Sequence, residues 1–202
     1  MISLNSVSKT FKQSWWQKKG TANHSNGGIF TAVDGVSFTC DPGRIFGLIG
    51  PNGAGKTTTL RMIATMLQPT SGTIHVCDTD VVTNPMKVRQ KMGFLSGNTG
   101  LYDRLTAEEM VRYYADLHGM SKETYQSRRD ELFSMMGMEE FARRRISKLS
   151  SGMKQKVSIA RTIIHNPEVV VFDEPTTGLD VITSKNIVQL IKRCIEEGKT
   201  VI

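Results

Sequence analysis

Long apolar runs are missing from this sequence. No stretch approaches the ~18 consecutive apolar residues that a membrane-spanning helix needs, which excludes such a helix from these residues. The opening MISLNSVSKTFKQ has no apolar signal core, so the expectation is an uncleaved, cytoplasmic chain. Cysteine is scarce: Cys40, Cys77 and Cys194 are far apart and odd in number, which excludes a disulfide framework and a cysteine-based metal site and points to reduced thiols. Internal repeats and long low-complexity tracts are also lacking, so no solenoid or array is expected.

What is present reads as one globular domain. With 202 residues, 39% hydrophobic and 22% charged, the chain can bury one substantial core. The net charge of +7 comes partly from two basic clusters, Lys12, Lys18 and Lys19, then Arg143, Arg144, Arg145, Lys148, Lys154 and Lys156. Such clusters suit a solvated face, a phosphate handler or a membrane-apposed protein alike; charge alone does not decide.

Residues 12–28, polar and rich in Gly, Asn and Ser around Trp15 and Trp16, predict a long loop between two short strands. Buried parallel strands are predicted at Ile45 to Ile49, at Phe94 to Leu95 and over the β-branched run Val169 to Phe172, with a fourth from Thr200. Leu60, Ile63, Ala64 and Leu67 share a helical face, as do Met153, Val157, Ala160 and Ile164. Thr106 followed by Glu109 makes a capping box that opens a helix to about His118, with Gly119 as the stop. Alternating strands and helices predict an α/β protein with a mainly parallel sheet, and a mostly helical subdomain over 101–164.

Between the first predicted strand and its helix lies Gly50-Pro51-Asn52-Gly53-Ala54-Gly55-Lys56-Thr57, which fits GxxxxGK[ST]. Glycines let the loop curl so that backbone N–H groups face phosphate oxygens, and the following helix start, with Thr58 in its first turn, offers its positive end to the same anion. Lys56 would neutralise the β- and γ-phosphates, and the Thr57 hydroxyl would ligand Mg²⁺. The strand Val169 to Phe172 runs into Asp173 and Glu174, at the strand end where open α/β sheets bind ligands. Asp173 would hold Mg²⁺ and Glu174 would act as general base on the attacking water. The Asn-Lys-x-Asp guanine reader of GTPases is absent. A second helix start follows Leu149-Ser150-Ser151-Gly152-Met153. Two anion sites in one chain, one without its own lysine, suggest that two chains share each nucleotide.

Here the sequence resembles the ATP-binding-cassette ATPases over essentially its whole length. Leu149 to Met153 resembles their LSGGQ signature, Glu174-Pro175-Thr176-Thr177-Gly178-Leu179-Asp180 their acidic strand end and D-loop, and Ala32 to Phe38 and Pro69 to Gly72 other cassette positions. The resemblance implies a phosphate-loop NTPase core over 1–95 and 165–202, an antiparallel β edge and a helical signature subdomain. It also implies ATP and Mg²⁺ as cofactors and a head-to-tail dimer of nucleotide-binding domains, in which Ser150 and the Gly152 amide close over the ATP of the other subunit. The expected partners are membrane-spanning permease subunits, the expected place the inner face of the cell membrane, and no nucleic acid is expected.

Departures are visible. Ser151 replaces a signature glycine and Met153 the glutamine. With Asn98 to Tyr102 and Gly178 to Ser184, the segment SSGMKQK resembles the bacterial exporter branch that includes sodium-efflux ATPases. Gly97 stands where the family carries a Mg²⁺-contacting glutamine, with Asn98 beside it. The family's adenine-stacking aromatic would be Phe11, with Trp15 and Trp16 as rivals. Its γ-phosphate histidine would follow Ile202, so the sequence reads as a fragment or as lacking its tail. The rival readings are a soluble cassette protein acting on ribosomes or DNA, which usually carries two cassettes or a coiled-coil insert, and a cassette exporter of a cargo other than sodium.

Overall fold

The computed structural model describes residues 1–12, 28–96, 100–176 and 179–202. Two compact units make up the chain: Met1–Asp41 with Phe46–Arg89, and Pro42–Ile45 with Gln90–Ile202.

The first unit carries an antiparallel sheet in the order β2-β1-β3-β4, formed by β1 (Ile2–Lys12), β2 (Ile29–Cys40), β3 (Ser71–Val76) and β4 (Thr79–Asp80). β1 buries Ile2, Leu4 and Val7. The step from Leu4 to Val7 breaks the two-residue period because Ser6 takes a φ of 48° and the register against β2 slips there. A bulge of this kind returns the next apolar side chain to the core face. α1 (Lys56–Ile63) packs on β2 and β3 and buries Thr59, Leu60, Met62 and Ile63. α2 (Pro85–Lys91) follows β4.

Three expectations are corrected in this part of the chain. The strands beside residues 12–28 are long, 11 and 12 residues, because bulges interrupt an alternation that a strict period-two reading would need. The loop between them, with Trp15 and Trp16, lies outside the described residues. α1 stops at Ile63: Thr65 takes a φ of 60°, so Leu67 falls beyond the helix and does not share the face of Leu60 and Ile63. Ile45 to Ile49 is not a strand. Ile45 alone pairs, by one parallel bridge to Val201, while Ile45 and Ile49 are 58% and 95% exposed. Ladder bonds make a strand, and a single bridge from Ile45 to β7 (Thr200–Val201) is not a ladder.

In the second unit β5 (Met92–Leu95), β6 (Val169–Phe172) and β7 form a parallel sheet in the order β5-β6-β7. All four residues of the central β6 are buried, as an uninterrupted VVVF run requires. The helices are α3 (Ala107–Leu117), α4 (Lys122–Met136), α5 (Ser151–Ile163) and α6 (Val181–Glu196). Met110 and Val111 of α3, Leu132, Phe133 and Met136 of α4, and Val157, Ile159 and Ile163 of α5 share one core. α5 comes so close to β5 that a Cβ on Gly93 would lie 2.5 Å from the Thr162 carbonyl oxygen.

The predicted capping box is present at α3: Thr106 Oγ1 accepts from the Glu109 amide, and Glu109 Oε2 accepts from the Thr106 amide at 2.8 Å. At the far end of α3, His118 stacks on His165 with ring centroids 3.6 Å apart. Burial, reinforced by His118, pushes the His165 imidazole down to about 4, so this pair is neutral packing near pH 7.

Candidate nucleotide site

The phosphate loop belongs to the first unit. Gly53 and Gly55 take φ of 83° and 85°, and Ala54 N donates to the Pro51 carbonyl at 3.2 Å, which curls the segment back on itself. Gly55 needs to be glycine twice over. Its φ disfavours any Cβ, and a Cβ there would lie 2.3 Å from the Ala32 carbonyl oxygen of β2. Lys56 Nζ donates to the carbonyls of Gly50 at 2.7 Å and Pro51 at 3.0 Å. The ammonium is thus drawn over the start of the loop. Gly55 is the N-cap of α1, with no side-chain cap and no acid in the first turn. A curled backbone, a lysine folded onto it and a helix start without a carboxylate form a cradle whose chemistry fits a phosphate chain. Thr57 and Thr58 are half-buried in that first turn, while Pro51, Asn52, Gly53 and Ala54 are exposed.

The acidic residues belong to the second unit. Asp173 N donates to the Leu95 carbonyl at 2.9 Å, continuing the β5–β6 ladder one residue past β6. The ladder ends there, because Glu174 takes a φ of 53°. A left-handed glutamate in front of a proline is strained backbone, costing about 1–3 kcal/mol, and persists only where its surroundings hold it. Its side chain is exposed and that of Asp173 half-buried.

α5 starts in the same unit. Ser150 is its N-cap: Oγ accepts from the Met153 amide at 3.3 Å, and the residue is exposed. Gly152 is buried against the start of α6, where a Cβ would lie 3.1 Å from Thr183 Oγ1 and 3.4 Å from Asp180 Oδ2. Asp180 caps α6, accepting from the Thr183 amide and from the Thr183 hydroxyl, each at 2.8 Å. One turn further on, Gln155 Nε2 donates to the Pro175 carbonyl at 2.9 Å.

Of the residues singled out by sequence, the fold therefore gathers Gly50 to Thr58 around the loop, and sets Ser150 and Gly152 on the helix that touches both ends of the segment from Pro175 to Asp180. Phe11, at the end of β1, lies opposite Phe30 in the β1–β2 register, is 38% exposed, and has Lys9 Nζ 5.2 Å from its ring centre. Gly97 and Asn98 lie outside the described residues. Gln155 was not singled out. Its signal was its spacing of three from Gly152, which puts both on one helix face.

A curled glycine loop that opens a helix marks a phosphate-loop nucleotide-binding protein, and the chain's strands and helices make it one of the α/β class. Residues 33–177 match the family model of the ABC transporter. The chain is 41% identical to the ABC transporter ATP-binding protein NatA of Bacillus subtilis (strain 168), over all of this chain and 78% of that protein. It is 36% identical to the linearmycin resistance ATP-binding protein LnrL of the same strain, over 85% of this chain and 55% of that protein. A solved dimeric ATP-binding cassette in a post-hydrolysis state, bound to ADP and Pi, superposes on 100% of this chain and 86% of its own with a TM-score of 0.85 and 31% identity. This chain belongs to the ABC transporter family, as one of its ATP-binding, ATP-hydrolysing cassettes.

Proposed function

We propose that the chain powers a bacterial exporter from the inner face of the membrane, as one of two cassettes that share their nucleotides and drive membrane-spanning permease subunits. The observation that carries this reading is the phosphate loop, with Lys56 folded over a curl that only glycine at position 55 permits. Gly50 to Thr58 bind the phosphates through backbone amides, and Lys56 balances charge on the β- and γ-phosphates. Thr57 and Asp173 are the residues that would hold Mg²⁺ through hard oxygen donors, and the ion would supply positive charge to the phosphate oxygens. Glu174 takes a proton from the attacking water. Ser150 and the Gly152 amide close over the ATP of the partner subunit, and Phe11 stacks on adenine. Residues 101–164 form the signature subdomain.

Sodium is the proposed cargo, supported by the resemblance of SSGMKQK and its neighbours to the sodium-efflux branch and by the similarity to NatA.

Titration of the Lys56→Ala variant with ATP tests the core of the reading. Loss of a charge-assisted contact should weaken binding about 100-fold. An unchanged Kd would remove the phosphate loop from the account. ATP-driven sodium efflux from vesicles holding the complete protein and its permease tests the cargo separately. ATP turnover without sodium movement discards sodium and leaves the ATPase reading intact.

A further inference from the structure

Glu174 is held from both sides. Upstream, Asp173 is fixed by its bond to the Leu95 carbonyl, and downstream the carbonyl of Pro175 accepts from Gln155 of α5. Between these anchors Glu174 keeps its φ of 53°, a conformation that its own sequence, a glutamate before a proline, disfavours. The Gln155 amide group must present its NH₂ here, since the atom it faces is a carbonyl oxygen. The same first turns of α5 carry Ser150 at the tip and Gly152 against Asp180 and Thr183. α5 therefore touches the acidic loop at both ends of Pro175 to Asp180.

We propose that Gln155 is a positioning residue for Glu174. Through the Pro175 carbonyl it aims the carboxylate at one nucleotide, while its own helix presents Ser150 to the other. One hydrogen bond thus joins the two nucleotide sites that a single subunit serves. The proposal rests on the shared-nucleotide reading above and adds a coupling residue to it. Gln155 touches neither nucleotide in this account; it acts through the backbone beside Glu174.

Mixed dimers of the full-length protein separate the possibilities. Gln155→Ala should lower kcat about tenfold with KM for ATP within about twofold, as expected for loss of one hydrogen bond that acts on the chemical step. Gln155→Arg, which keeps a donor of similar reach, should recover part of the rate. Thermal unfolding of each variant checks that the fold survives. The deciding readout pairs Gln155→Ala with Glu174→Gln. With both in one subunit, the remaining active Glu174 has its own Gln155, and turnover should match that of Glu174→Gln alone. With one change in each subunit, the remaining Glu174 has lost its Gln155, and turnover should fall a further tenfold or so. The opposite pattern would mean that Gln155 acts through Ser150, and equal losses, or none, would mean general support or no role; each overturns the proposal. If Glu174→Gln alone leaves turnover normal, or if ATP leaves the protein monomeric, the shared-nucleotide reading has failed instead.

Discussion

α1 and α3 begin in opposite ways. α3 satisfies itself: Thr106 and Glu109 close a reciprocal capping box, and Glu108 and Glu109 place negative charge in its first turn. α1 opens on left-handed Gly55, with no side-chain cap and no acid in its first turn. Both are ordinary helices beyond that turn, each burying an apolar face. A helix meant only to fold completes its own N-terminus, because uncapped amides cost stability. A helix meant to hold an anion forgoes that stabilisation and keeps its positive end for the ligand. α5 stands between them, capped by Ser150 yet with no acid in its first turn.

The largest way to break this contrast is Gly55→Ala. The added Cβ would meet the Ala32 carbonyl oxygen at 2.3 Å in a backbone conformation at φ 85°. Destabilisation of about 2–4 kcal/mol and a rise of more than about 100-fold in the Kd for ATP are expected. Gly119→Ala is the control: at φ 68° with nothing within 4 Å of its Cβ, it should cost about 1 kcal/mol and leave ATP binding alone. Normal ATP affinity in Gly55→Ala would show that the loop can open elsewhere.

A smaller effect sharpens the contrast. Thr58→Glu gives α1 the first-turn carboxylate that α3 has. The helix should gain about 0.5 kcal/mol in nucleotide-free thermal unfolding, while ATP binding weakens about tenfold through repulsion of the phosphates. Tighter ATP binding would contradict the assignment of that helix start. The smallest effect on ATP binding is that of Thr106→Ala, which should leave the Kd for ATP unchanged while costing about 1 kcal/mol of stability.

Sequence and structure agree best where the chemistry is local. Gly50 to Thr57, the Thr106–Glu109 box and the run Val169 to Phe172 each depend on spacings within a few residues, and all three could be read from the chain. Agreement fails where a partner strand or a distant side chain decides. Ile45 to Ile49 has the composition of a buried strand, yet only Ile45 finds a bridge. β1 and β2 looked short because bulges at Leu4/Val7, Val7/Lys9 and Lys9/Thr10 scramble the alternation. His118 and His165 are far apart in the chain and stack only once α3 and α5 are packed.

By itself, then, the sequence determined that residues Gly50 to Lys56 curl, that helices open after that loop, at Thr106 and at Ser150, and which strand ends in acids, because dihedral freedom, capping and burial patterns are properties of neighbouring residues. Tertiary structure alone decided that Glu174 is held in a left-handed turn, that Gln155 reaches the carbonyl beyond it, and that Gly152 packs on the cap of α6. Those contacts join segments about 20 to 30 residues apart, and such contacts form only after loop closure brings their partners together.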